Sequence, residues 1–296
     1  MSPLSRRARK RLATVVVTLI TVVALVVAAV FVRWLFRQGG QVIISGPPAK
    51  PADQCVAQAD GYTGSMTPEQ AGNAAIIVGV AIRRGLPARA STIALVTAWQ
   101  ESSLRNLNYG DRDSLGLFQQ RPSQGWGTAK QIMNPWYASG RFYDELVKVK
   151  NWQTGDINDV AQAVQRSGFP DAYRQHESAG RAWAATLTGH SAAGVTCITN
   201  TGPGGGDTEL MALLTKVWGD KLTVDQQFSV ITINAPDAQT AWSVATMSMA
   251  QLAASGIVSV EVGDQYLVTD PLSLADWQYT DPAAALPDTR VVLTLR

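Results

Sequence analysis

Reactive and metal-binding side chains are scarce in this sequence: 296 residues include two cysteines and two histidines. His176 and His190 sit in helical surroundings without metal-ligand spacing, so zinc has no ligand set here and no metal is expected. A cysteine peptidase would need a free thiol near a histidine, which Cys197, at a domain edge, fits poorly. No Gly-x-Ser-x-Gly elbow and no phosphate loop occurs, and Gly125-Trp126-Gly127-Thr128 lacks the third glycine of a dinucleotide fingerprint. No cofactor is expected. Charge is also sparse, at 16% of residues with a net charge of +2. Arg6, Arg7, Arg9, Lys10 and Arg11 account for the excess and leave a slightly acidic remainder, so no nucleic-acid partner is expected.

Apolar residues make up 46% of the chain, and the length suits two folded domains. From Leu12 to Val32 roughly 21 residues carry no charge, the length a helix needs to cross about 30 Å of hydrocarbon. The stretch reads as a transmembrane helix over 12–36; the alternatives are a buried core helix or the apolar part of a signal peptide. With the basic residues ahead of it, the expected orientation is a cytoplasmic tail, 1–11, in a single-pass protein of the cell membrane, with everything after the span outside. Trp34 and Phe36 fit an interfacial belt. The Gly- and Pro-rich stretch 37–54 reads as a tether.

Cys55 and Cys197 bracket the next block, 55–198, and in an exported chain such a pair is expected as a disulfide. Between them the pattern is helical. Thr67-Pro68-Glu69-Gln70 is a helix start with a capping-box glutamine, and Gly85-Leu86-Pro87 is a stop. Helical spacing recurs over Pro135 to Val149, Asp156 to Arg166 and Pro170 to Leu187. The segment 199–206 is a glycine-rich linker. Beyond it, 207–296 shows a short helix near Leu210 to Trp218, a β-branched run Phe228 to Ile233, a helix from about Asp237 to Ala254, and strands near Ile257 to Val262, Gln265 to Val268 and Val291 to Leu295. The expected fold is a mainly α domain followed by a small α+β domain.

The stretch Thr92 to Thr128 carries the chemistry. An apolar helix ends in Trp99-Gln100-Glu101-Ser102-Ser103, where a carboxylate needs a partner or a job. A turn-rich passage with Tyr109-Gly110-Asp111-Arg112 follows, then Gly116-Leu117-Phe118-Gln119 and Gly125-Trp126-Gly127-Thr128. These motifs resemble the active-site region of the lysozyme-like superfamily, in particular goose-type lysozymes and soluble lytic transglycosylases. The likeness is sharp over about forty residues. It implies a lysozyme-like helical domain in which Glu101 is the catalytic acid and the Gly-Leu-Phe-Gln segment floors a sugar cleft. Asp111 falls where goose-type enzymes carry an acidic residue that positions water, whereas Gln120-Arg121-Pro122 stands where they have a further aspartate. The Tyr-Asn motif of lytic transglycosylases has its counterpart, on this reading, at Gln165. Ala241-Trp242-Ser243-Val244 and Gly256-Ile257-Val258-Ser259-Val260 faintly resemble a module found behind actinobacterial cell-wall enzymes.

The resemblance implies cleavage of the β-1,4 bond between amino sugars of peptidoglycan, as a lytic transglycosylase or muramidase. Glu101 would act as general acid and Asp111 as a water-holding residue, though Asp111 could equally cap a turn or pair with Arg112. Ser102 and Gln119 would orient sugar, Tyr109, Phe118 and Trp126 would offer faces to sugar rings or pack in the core, and Gln165 would contact an N-acetyl group. An envelope-spanning secretion or conjugation complex is a candidate partner. The competing reading is a non-catalytic wall-binding or scaffolding protein.

Overall fold

The computed structural model describes residues 19–33, 51–169, 171–200 and 206–296. The chain divides into two compact units, residues 1–49 and 50–296. Of the first, the structure describes helix α1, residues 19–33, whose side chains are exposed throughout. The expected span 12–36 lies partly outside the described residues, as do the basic tail and most of the tether. Among the described residues no helix is long and apolar enough to cross a membrane. The single transmembrane helix, and the single-pass membrane localisation that rested on it, are therefore corrected.

The second unit is a mixed α/β structure, which corrects the expected mainly α domain. It carries two antiparallel sheets, and with α1 the described residues hold ten α-helices. Strands β1 (Gln54–Ala59), β2 (Tyr62–Met66) and β3 (Val195–Ile198) form the first sheet in the order β2-β1-β3. Local periodicity does not reveal it, because its middle strand pairs with a segment more than a hundred residues away. Cys55 lies opposite Cys197 in the β1–β3 register, and the two sulfurs are bonded. The expected disulfide is present.

The helices between these strands are α2 (Pro68–Arg83), α3 (Ala88–Ser102), α4 (Ala129–Ile132), α5 (Pro135–Leu146), α6 (Ile157–Gln165) and α7 (Glu177–Leu187). Local chemistry sets their ends. Thr67 and Gln70 close the capping box at the start of α2, Asn134 caps α5 with Pro135 in its first turn, and Asp156 caps α6. Helix α3 has no side-chain cap, yet every residue from Ala90 to Ala98 is buried, so packing rather than capping holds it. Helices α2, α5, α6 and α7 surround it.

The rest of the unit is α8 (Thr208–Trp218), β4 (Thr223–Gln227), β5 (Val230–Asn234), α9 (Ala238–Ala250), α10 (Leu252–Ser255), β6 (Ile257–Val262), β7 (Gln265–Val268), β8 (Gln278–Tyr279) and β9 (Arg290–Leu295). The six strands run in the order β4-β5-β9-β6-β7-β8, all neighbours antiparallel. Helix α9 meets the end of α7 through side chains that bond its last carbonyls. Ser243 Oγ donates to Leu187 O at 2.5 Å, Thr246 Oγ1 to Thr186 O at 2.8 Å and Gln239 Nε2 to Thr188 O at 3.1 Å. Trp277 Nε1 donates to Val195 O at 2.9 Å, tying the second sheet's connecting loop to β3.

This packing can be probed at the bridge and at one glycine. The disulfide closes a loop with a sequence separation of 142. Its reduction should lower unfolding free energy by about 5 kcal/mol in the chain-entropy picture, read from denaturant melts with and without reductant. Gly189 sits at φ +73°, and a Cβ there would lie 1.9 Å from Gln239 O. Gly189→Ala should destabilise the protein by more than about 1 kcal/mol in the same assay, through strain and through separation of α9 from α7.

Candidate active site

Glu101 occupies the last turn of α3, where the buried helix emerges. The chain then reverses through two residues in the left-handed region, Ser103 (φ 52°) and Leu104 (φ 56°). That reversal leaves carbonyls exposed at a helix end, and α2 satisfies them: Gln70 Nε2 donates to Ser103 O at 2.7 Å and Asn73 Nδ2 to Leu104 O at 2.8 Å. Leu104 is fully buried and anchors the turn. The position of the acid is thus fixed from below by packing and from behind by two amides.

Burial raises the pKa of Glu101 above the ordinary glutamate value, and the hydrogen bond from Tyr173 and then the nearby Gln165 amide pull it back in part. The Tyr173 hydroxyl donates to Glu101 Oε1 at 2.7 Å. The tyrosine itself stays protonated, because burial and the neighbouring carboxylate both push its pKa far up. Gln165, at the last residue of α6, donates to Phe118 O at 2.8 Å. Gln165, expected to contact an N-acetyl group, thus bonds a backbone carbonyl next to the Glu101 carboxyl.

The Gly116-Leu117-Phe118-Gln119 segment is a tight turn closed by paired bonds between Leu115 and Gln120, at 2.9 and 3.0 Å. Leu117 and Phe118 are 0% exposed, and Phe118 stacks on Phe142 with centroids 4.6 Å apart. Ser102 is buried, and its hydroxyl donates to Ala98 O at 3.0 Å and to Leu117 O at 2.7 Å, joining helix end to turn. Gln119, at φ 47°, donates to Tyr109 O at 3.3 Å and Gly116 O at 3.2 Å. A Cβ at Gly110 would lie 2.8 Å from Ser114 O and 1.9 Å from Gln119 Oε1, so a side chain there would crowd the loop's own backbone and displace that amide. Phe118, Ser102 and Gln119 hold the site together through packing and backbone bonds.

The loop that Gln119 supports presents Tyr109, 65% exposed, and Asp111, whose side chain is 91% exposed and lies 3.8 Å from Arg112. Asp111 is thus a hydrated carboxylate. Asp113 is the structural member of the loop: Arg121 Nε donates to it at 2.7 Å and Ser123 N at 2.8 Å, and these bonds hold its carboxyl well below the usual range. Trp126 is half-buried against the core, with its carbonyl accepting from the Tyr137 hydroxyl at 3.3 Å.

Sequence reasoning missed Tyr173. The resemblance points to a Tyr-Asn pair facing the acid, whereas Tyr173 is followed by Arg174. That arginine acts locally, donating to both Asp156 oxygens at 3.1 and 3.2 Å, while its amide donates to Asn158 Oδ1 and fixes the segment against the start of α6. Three residues beyond the tyrosine, His176 bonds Gln100 Oε1 at 3.0 Å and stacks on Trp99, and burial lowers its pKa. His190 bonds Thr188. Among the described residues no group of three or more His, Cys, Asp or Glu side chains could hold a metal ion.

The hydroxyl of Tyr173 stabilises the charged form of Glu101. Tyr173→Phe should therefore raise the Glu101 pKa above its value in the parent protein, read as a later midpoint in a carbon-13 NMR titration of the carboxyl resonance.

No protein-family model matches this chain, and no curated protein matches it at a significant level.

Proposed function

We propose that the chain cleaves the β-1,4 bond between amino sugars in the glycan strands of peptidoglycan, with Glu101 as general acid. The observation that carries this reading is a carboxyl withdrawn from water at the mouth of a buried helix, kept protonated more readily than an exposed glutamate and oriented by Tyr173. In the first step the Glu101 proton passes to the glycosidic oxygen as the bond from that oxygen to the anomeric carbon breaks. The cationic sugar then needs a nucleophile. Asp111 is exposed to solvent and pairs loosely with Arg112, so it lacks the surroundings of a base that holds one water in place. Attack by the sugar's own 6-hydroxyl needs no second carboxylate. Glu101, now ionised, takes the hydroxyl proton as the anhydro ring closes, and ends the cycle protonated again. Lytic transglycosylation is therefore favoured over hydrolysis.

The second reading is a glycan-binding or scaffolding protein that does not cut, favoured by the same exposure of Asp111. A binder has little use for a desolvated acid, and the burial of Glu101 weighs against it.

Mass spectrometry of fragments released from purified peptidoglycan tests both. The parent protein should release anhydro-ended fragments, and Glu101→Gln should lower the yield by about 10²–10⁴-fold. Reducing-ended fragments would instead mean hydrolysis. Wall binding without release by either protein would leave the scaffold reading.

A further inference from the structure

The loop that joins Gln165 to Tyr173 is fixed beside Glu101 by both of its ends: the Tyr173 hydroxyl donates to the carboxylate, and Gln165, whose amide acts on the same carboxyl, is held by its bond to Phe118 O. With seven residues between the anchors, no Cα of the loop is farther than about 14 Å from one of them. The loop is also held along its length. Gln162 Nε2 donates to Ser167 O at 2.7 Å, Phe169 N to Ser167 Oγ at 3.2 Å and Ala172 N to Phe169 O at 3.3 Å. Arg166 turns the chain out of α6 at φ 55°, a conformation that residues other than glycine enter rarely.

Among the described residues, two side chains of this loop take part in no hydrogen bond, ion pair or ring stacking. Phe169 is 75% exposed, with a large aromatic face in water. Arg166 is exposed, and among the described residues no carboxylate lies within ion-pair distance of it. An apolar face and an unpaired guanidinium beside an acid that cleaves glycans match a ligand with flat sugar rings and carboxylate groups.

We propose that the 166–169 loop is the recognition element for an anionic amino-sugar glycan: Phe169 stacks on a sugar ring beside the scissile bond, and Arg166 pairs with a carboxylate carried by the sugar or its peptide. The assignment rests on the glycan reading of the Glu101 site. It makes the site select muramic-acid-containing strands over neutral strands of the same length.

The test uses the full chain with Glu101→Gln, so that ligands persist, and calorimetric titration with three tetrasaccharides. One is the neutral N-acetylglucosamine oligomer, one alternates with N-acetylmuramic acid bearing only its lactyl carboxylate, and one carries peptide stems as well. At least one anionic ligand should bind about tenfold more tightly than the neutral one. Arg166→Gln should remove that difference and leave neutral binding unchanged, and Phe169→Ala should weaken all three about tenfold. An advantage present without peptide assigns the lactyl carboxylate as the partner, and one that appears only with peptide assigns the stem. Equal affinity for neutral and anionic ligands, binding of none of them, or loop variants that bind like the parent would overturn the proposal. Fragment release by the protein with Glu101 intact separates the two readings. Release without any effect of the loop variants on binding removes the loop assignment alone, whereas the expected binding pattern without release removes the cleavage reading and keeps the loop.

Discussion

Keeping a carboxyl group half out of water at the end of α3 is the constraint on which the surrounding structure depends. Burial penalises the charged form, and the partial negative charge at a helix C-terminus acts in the same direction. Left alone, such a group would drive the helix end to open towards solvent. The structure resists this by fixing the helix along its length, with Ala90 to Ala98 buried, and by bonding the chain reversal after it with Gln70 and Asn73. The Tyr173 hydroxyl then donates to the carboxyl itself, with the Gln165 amide close by, enough to orient it without cancelling the effect of burial.

The motif residues around the acid divide by whether their side chains face inward or outward. Phe118 and Ser102 face inward, so their contribution is the shape of the turn and its attachment to α3. The outward-facing features of the turn are the backbone carbonyl of Phe118, which accepts from Gln165, and the side-chain amide of Gln119, which supports the loop that displays Tyr109. A short motif of this kind specifies a fold around one acid more directly than it specifies contacts to a ligand.

Local signals make part of this legible in the sequence. The Thr67 capping box, Asp156 ahead of α6 and the β-branched run of β5 all act within a few residues, and each stands where periodicity and capping place it. The apolar run to Ala98 followed by Glu101 singles out the acid once it is read with Ser102 and the Gly116-Leu117-Phe118-Gln119 motif beside it. What cannot be read depends on contacts distant in sequence. Strand β1 needs β3 to form a sheet, and Tyr173 reaches Glu101 across 72 residues. The fate of Phe118 is also hidden, since an aromatic in a glycine-flanked turn has the same sequence appearance whether it stacks on Phe142 or on a sugar. The hydrophobic stretch after the basic tail meets the length rule for a span in sequence, whereas among the described residues no helix is long and apolar enough to cross a membrane.

The distant contacts also explain why the six-stranded sheet bears on the acid. Helix α7 packs against α3 and follows directly on the turn that carries Tyr173 and His176. Its last carbonyls are satisfied by Ser243, Thr246 and Gln239 of α9, so the end of α7 is a buried junction rather than a frayed terminus. A displacement of α9 would expose those carbonyls and loosen α7. It would then act on the bonds that α7's leading turn makes to α3, Tyr173 with Glu101 and both Gln175 and His176 with Gln100. The C-terminal sheet thus has a mechanical path to the carboxyl: it holds the helix that holds the tyrosine.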